Sequence, residues 1–270
     1  MTPQTGGVDG ASTVDGATAV DSAAAGVPAA ARDLAWSGCV NVRDIGGLPT
    51  RDGRRTRTGV LIRAEALHHL DLDGVSAVGA LGPGAIIDLR SNWELGEPHP
   101  FAESPAYRRI PWIDDERDAE RDPDTERTLA DLYRGSLDRN TRQVAAIVGA
   151  VADTRTGPVV VHCHAGKDRT GLLVAVLLDL VGVVRDEIAA DYALSEARLA
   201  SRAKARAAAE PVETQGSGGI AALFARTLPE TILRSLQHLD RQHGGSRGYL
   251  TACGVQKSMI EEVSRRLLAD

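Results

Sequence analysis

Aromatic side chains are scarce in this sequence: three Trp, four Tyr and two Phe among 270 residues. Any core must therefore be aliphatic, built from Leu, Val, Ile and Ala. A basic excess is also missing, the formal charge being -6, which argues against a nucleic-acid binder. An anionic ligand has to meet a local positive site, because no positive surface awaits it. Only three cysteines occur, at 39, 163 and 253. Their odd number and wide spacing do not suggest a disulfide framework and fit a reducing compartment. No apolar run reaches transmembrane length; the longest, Leu172 to Val184, is interrupted by Asp179. A basic n-region followed by an apolar h-region is not legible at the N-terminus, so the expected location is cytoplasmic, with export by a route lacking such a peptide left open.

Residues 1–33 contain no Leu, Ile or aromatic side chain. Such a segment cannot bury enough surface to offset its ordering entropy and is expected to be a disordered tail. A single domain is expected over 34–270. Short strands are legible at Val60 to Ile62, at Ala85 to Arg90 after the Gly82-Pro83-Gly84 turn, and in "AYRRIPWIDD", ending at Pro111. A small helix fits "LDGVSAVGAL". Residues 114–128 are densely charged and broken by Pro123, which reads as an exposed loop within a charged insertion over about 114–139. Val144, Ile147, Val148 and Val151 recur at helical spacing, with Asn140 or Thr141 as the cap. Gly157-Pro158 then turns the chain into a strand, Val159 to His162, and Thr170 to Val181 is a helix apolar nearly all round, hence buried. Beyond Gly182 the pattern is helical: one long segment to Pro211, the loop "ETQGSGG", a helix begun near Pro229 and closed by glycines, and a last helix with Ser258 and Glu261 as a capping box. Strands alternating with helices predict an α/β fold, a mainly parallel central sheet flanked by helices, with a helical C-terminal part.

Chemistry concentrates in "VVVHCHAGKDRTG", residues 159–171. A buried strand delivers Cys163, and a buried helix begins just after Arg169. Loop N–H groups converging at a helix N-terminus make an anion cradle. The same dipole, with Lys167, Arg169 and His162 beside it, favours thiolate, at a pKa of roughly 3.5–7.5 against ~8.5 for a free cysteine. Arg169 can grip two equatorial phosphoryl oxygens at once, which a lysine cannot copy. Gly166 lets the loop turn, and Thr170 can hydrogen-bond the sulfur. A zinc site from His162, Cys163 and His164 fits poorly, because consecutive residues cannot all face one metal and no Cys-x-x-Cys pair accompanies them; neither metal nor cofactor is expected.

"HCHAGKDRTG" resembles the Cys-x5-Arg loop of the protein tyrosine phosphatase superfamily. The upstream "NVRDIGGLPTRDGRRTRTGVLIRAEAL" is similar to the amino-terminal motif of an atypical bacterial branch with tyrosine and dual-specificity members, as are "AIIDLRSNWE", "DYALSEARL" and "GYLTACGV". The likeness runs from about Leu34 to the C-terminus. It implies a phosphatase fold and a phosphocysteine intermediate on Cys163. It further implies phosphoryl binding by Arg169 and by the loop from His164 through Ala165, Gly166 and Lys167, with Thr170 assisting turnover. The Lys167-Asp168-Arg169 variant implies phosphotyrosine substrates and, in some members, phosphoserine, phosphothreonine or phosphoinositides. The chain departs from a branch member in carrying His164 where that member has an aromatic residue, and its charged insertion is shorter. Lys167 and His164 add local positive charge, which favours substrates with more than one phosphate. For the proton donor to the leaving group, Asp88 and Asp168 rank ahead of the Asp114-Asp115 pair. Arg43 with Asp44, and also Arg63, read as structural ion pairs rather than active-site groups.

Other readings compete. A sulfurtransferase also holds a cysteine in an anion cradle, but its loop is typically one residue shorter. An arsenate reductase of the low-molecular-weight type carries its loop near the N-terminus. A phospho-ligand binding module descended from a phosphatase would usually have lost Cys163 or Arg169, and both stand here.

Overall fold

The computed structural model describes residues 28–96, 98–209, 224 and 226–269. Five strands form one sheet: β1 (Arg43–Asp44), β2 (Leu61–Ala64), β3 (Ala85–Asp88), β4 (Tyr107–Arg109) and β5 (Val159–His162), in the order β1-β2-β5-β3-β4. Only the β1–β2 pair is antiparallel; β2, β5, β3 and β4 run parallel. The valine run of β5 thus lies at the sheet's centre, where a strand is buried on both faces.

Alternation along the strands sorts their side chains. Leu61, Ile87, Val159 and Val161 join the larger core with most of the helices, whereas Ile62, Ile86 and Val160 join a smaller one with Trp36, Val42 and Val78. Helix α1 (Leu72–Leu81), capped by Asp71 and stopped by left-handed Gly82, covers the smaller face. The larger face is covered by α3 (Leu129–Arg139), α4 (Thr141–Asp153), α5 (Asp168–Leu180), the start of α6 (Arg185–Ala209), α7 (Pro229–His243), α8 (Ser246–Ala252) and α9 (Lys257–Leu267). A short helix, α2 (Asp115–Asp118), precedes α3. Helix α5 is buried from Thr170 to Asp179, as a segment apolar on nearly every side requires. Among the described residues no helix is long and apolar enough to cross a membrane.

Several sequence expectations need correction. The tail boundary at 33 is too late: Ala29–Arg32 form a 3-10 turn, and Arg32 is buried against Asp191. Residues 1–27 lie outside the described residues, as does the "ETQGSGG" loop. The charged insertion does not extend to 139, because α3 buries Leu129, Leu132, Tyr133 and Leu137 in the main core. Charge density hid an amphipathic stripe there. The capping box at Ser258 is absent: Gln256 occupies the N-cap of α9 with no side-chain cap bond, so the helix starts ahead of the position that the sequence pattern gave it. Pro229 does open α7, and Gly244 closes it in the left-handed conformation.

Candidate active site

Strand β5 ends at His162, and the next residue, Cys163, sits 2% exposed on the larger-core side of the sheet. Six residues on, Arg169 lies in the first turn of α5. Between them the loop carbonyls are each held from behind. The His164 carbonyl accepts from Ala66 N–H (2.9 Å) and the Ala165 carbonyl from Asn41 Nδ2 (2.8 Å). Gly166 O accepts from Arg63 Nη2 (2.7 Å), and Lys167 O from Gly171 N–H (2.9 Å). In a trans peptide the N–H points opposite to the C=O. The N–H groups of Ala165, Gly166, Lys167 and Asp168 therefore face away from those anchors, and none has an acceptor among the described residues. Four such donors at the N-terminus of a buried helix are a cradle for a tetrahedral anion.

Gly166 is required for this path. Its φ is +64°, and a Cβ there would lie 2.4 Å from the Ala64 carbonyl oxygen. Thr170 Oγ1 is buried and has no partner among the described residues, which leaves it free for the sulfur or a bound oxygen. His164 is exposed at the rim.

Arg169 is held by Glu94, which grips Nη1 and Nη2 with both carboxylate oxygens (Nη2–Oε1 2.6 Å). Burial works against the guanidinium's charge, but Glu94, Cys163 and Asp168 outweigh it and raise its pKa above the ordinary value. The end-on grip engages Nη1 and Nη2 and leaves Nε outside it. Sequence reasoning missed Glu94, although the Ser91-to-Glu94 spacing is that of a capping box, and Glu94 Oε2 accepts from Ser91 N–H (2.8 Å).

The carboxylates ranked as proton donors separate clearly. Asp88 pairs with His162 in register, so its side chain shares the smaller-core face, opposite Cys163. It is wholly buried and bound by Arg90 through Nε (3.0 Å) and Nη2 (2.8 Å), and it accepts from Tyr107 Oη (3.1 Å). Burial opposes its ionisation, but His162 and Arg90 prevail and bring its pKa down to about 2. Asp88 is a fixed anion on the wrong face, and its ranking as general acid is withdrawn. Asp114 caps α2 and accepts from Gln143 Nε2 (2.9 Å), while Asp115 is exposed. Asp168 alone stands beside Arg169 in the loop. Its Oδ1 accepts from the Tyr133 hydroxyl, which shares a 2.7 Å hydrogen bond with Tyr192.

Lys167 also departs from expectation. Its ammonium is buried, bound to the main-chain carbonyls of Phe224 and Arg226, with Asp168 Oδ1 at 3.6 Å. It ties the loop to the segment before α7 and adds no free charge at the rim. Nor does His162 supply charge: burial lowers its pKa to about 4, so the ring is neutral near pH 7. The Arg43–Asp44 pair does not form. Arg43 reaches Asp191 (3.0 Å), and Asp44 accepts from Gly46 and Gly59 N–H groups. Cys39 and Cys253 are ordinary thiols, pushed by burial up to about 12 and about 11.

Behind the sheet edge, Asp88, His99 and His162 gather within ligand distance of one another. His99 Nδ1 accepts from Phe101 N–H (3.1 Å), which puts its proton on Nε2, facing His162 Nε2 at 3.1 Å. His99 and His162 are thus two neutral rings joined to each other, beside the Asp88 carboxylate that Arg90 holds. Burial lowers His99 to about 3 and His162 to about 4, against ~6.5 in the unfolded chain. The unfolded state then binds more protons below pH 6.5, so stability falls as pH drops from about 6.5 towards 4. Each ring contributes a slope of up to about 1.4 kcal/mol for every step of one in pH. In thermal melts across that window His162→Gln should lose less stability than the wild type; parallel pH profiles would contradict this assignment.

The sequence matches the model of the tyrosine phosphatase family over residues 34–269. It is 32% identical to a tyrosine-protein phosphatase of Nostoc commune, across 71% of this chain and 68% of that protein. It is also 29% identical to the triple specificity protein phosphatase PtpB of Mycobacterium tuberculosis, across 88% of this chain and 99% of that one. The family model spans most of the chain, and the chain belongs to the tyrosine phosphatase family.

Proposed function

We propose that the protein is a cysteine-dependent phosphatase acting on phosphotyrosine through a phosphocysteine intermediate. The observation that carries this is the set of four loop N–H groups turned outward between Cys163 and Arg169. Cys163 Sγ attacks phosphorus; as the S–P bond forms, the P–O ester bond breaks and its electron pair leaves on the phenolate oxygen. The loop N–H groups and Arg169 hold the equatorial oxygens as charge builds on them. Asp168 supplies the proton to the phenolate, which otherwise leaves poorly because tyrosine's pKa is ~10. Water then attacks phosphorus, Asp168 takes its proton, and the sulfur departs as thiolate. Thr170 Oγ1, buried and without a partner among the described residues, donates to that thiolate.

Cys163 is buried, which favours a phosphate carried on a long side chain and so supports phosphotyrosine first. Phosphoserine, phosphothreonine and phosphoinositides rank second. The case for multiply phosphorylated substrates loses Lys167, whose ammonium is committed to the Phe224 and Arg226 carbonyls, and retains only His164. A pure binding module would not need Asp168 held beside the arginine, and a sulfurtransferase would not need a proton donor for a phenol.

Leaving-group dependence tests the acid. Asp168→Asn should cut kcat for phenyl phosphate by about 10²–10⁴ and spare the ester of a strongly acidic phenol. Asp88→Asn should leave the ratio of the two rates unchanged. If Asp168→Asn affects both esters alike, Asp168 is not the donor.

A further inference from the structure

The loop's anchors lead back to a buried cluster that lies outside the Cys-x5-Arg motif. Arg63, on β2, is 1% exposed and bridges two partners: Nη1 meets Asp191 Oδ2 at 2.7 Å, and Nη2 meets the carbonyls of Gly166 (2.7 Å) and Lys167 (3.4 Å). Asp191, on α6, also holds Arg43 through Nε (3.0 Å). Arg43 in turn donates from Nη1 to Asn41 Oδ1 (2.7 Å), and Asn41 Nδ2 fixes the Ala165 carbonyl. Arg32, from the 3-10 turn before the sheet, closes the cluster on Asp191 Oδ1 at 2.8 Å. One carboxylate thus orients two arms that together hold three consecutive loop carbonyls. Three guanidiniums face that single carboxylate, so the cluster keeps an excess of positive charge beneath the loop. A buried Arg–Asp pair is weak evidence of stabilisation, since desolvation offsets the attraction. The Arg43–Asp191 grip is nonetheless bidentate, Nε to Oδ1 at 3.0 Å and Nη2 to Oδ2 at 3.2 Å, so it fixes the carboxylate that Arg63 Nη1 meets while Arg63 Nη2 holds the Gly166 carbonyl.

We infer that Arg63 and Asp191, with Arg43 and Arg32 behind them, are positioning residues of the phosphatase. They turn the Gly166, Lys167 and Asp168 N–H groups towards the phosphoryl group. The inference rests on the phosphatase reading for its consequence in turnover, but its consequence for anion binding stands apart. A lysine at 63 can reach Asp191 or the Gly166 carbonyl but cannot clamp both. Arg63→Lys should therefore weaken tungstate binding, measured by calorimetry on the full chain, by about tenfold or more, the scale of one charge-assisted hydrogen bond. The loss in kcat/KM should follow it. Asp191→Asn should behave similarly. As a control, Val263→Ala on α9 should lower thermal stability without changing tungstate affinity.

A cooperatively folded Arg63→Lys with wild-type tungstate affinity overturns the inference. Should Arg63→Lys fail to fold, Arg32→Met decides. It removes the outermost guanidinium, and affinity should fall about threefold; an unchanged affinity rejects the positioning role. If the wild-type protein hydrolyses no phosphomonoester, the phosphatase reading fails, while the tungstate series still decides whether the cluster shapes the loop.

Discussion

Replacing Cys163 by serine is expected to remove turnover while leaving the oxyanion site intact. The donors that face an anion are main-chain N–H groups whose carbonyls are fixed by Ala66, Asn41, Arg63 and Gly171. None of those anchors involves the sulfur. A serine hydroxyl, in contrast, stays protonated near neutral pH. His162 cannot activate it as a base, because that ring belongs to the opposite face of the sheet and is bound to His99. The expected loss in kcat is about 10⁵–10⁶, as when the nucleophile is removed from other covalent hydrolases. Tungstate affinity should stay within a few-fold of wild type. Measurable turnover in Cys163→Ser above that level would mean another group attacks phosphorus.

The second large effect belongs to Arg169. Its guanidinium is fixed by the two Glu94 oxygens through Nη1 and Nη2, which leaves Nε outside that grip. Lysine keeps the charge but loses both the planar fork and the bidentate anchor. Arg169→Lys should lower kcat by about 10²–10³, the cost of losing one preorganised donor to the transition state. KM should change less, because the charge that Arg169 meets grows mainly as the bond breaks. Glu94→Gln should produce a smaller loss, about tenfold, by freeing the arginine to move. Equal losses in both variants would mean that Glu94 does more than orient Arg169. No loss at all in Glu94→Gln would mean that the loop alone holds the guanidinium.

The loop proposed as the reaction centre stands out in the sequence because its signals are local. The apolar run Val159 to Val161, the cysteine, the Gly166 turn and the apolar helix lie within two dozen residues, and β5 occupies the expected positions. The partners that shape the site were not legible, because they come from distant parts of the chain. Arg63 and Gly166 are 103 residues apart, and Arg169 and Glu94 are 75 apart. No periodicity announces such pairs. The error over Asp88 has a different origin. Placing it at the end of a parallel strand was correct, but the end of a strand has two faces, and only the register with β5 shows that Asp88 accompanies His162 and not Cys163. Lys167 misled for a similar reason: a long side chain beside a loop can fold back, and this one lies under the Phe224 and Arg226 carbonyls. Tyr133 was hidden inside a segment read as charged insertion, yet it is the group that holds Asp168.

Covalent trapping tests the central claim most directly. Wild-type protein would be mixed with an activated aryl phosphate, quenched in acid within the first turnovers, and digested for mass spectrometry. The account predicts a phosphoryl adduct on the peptide containing Cys163, accumulating in step with a burst of phenol and absent from Cys163→Ser. A burst of phenol with the adduct on any other residue, or with no adduct on the Cys163 peptide, would contradict it.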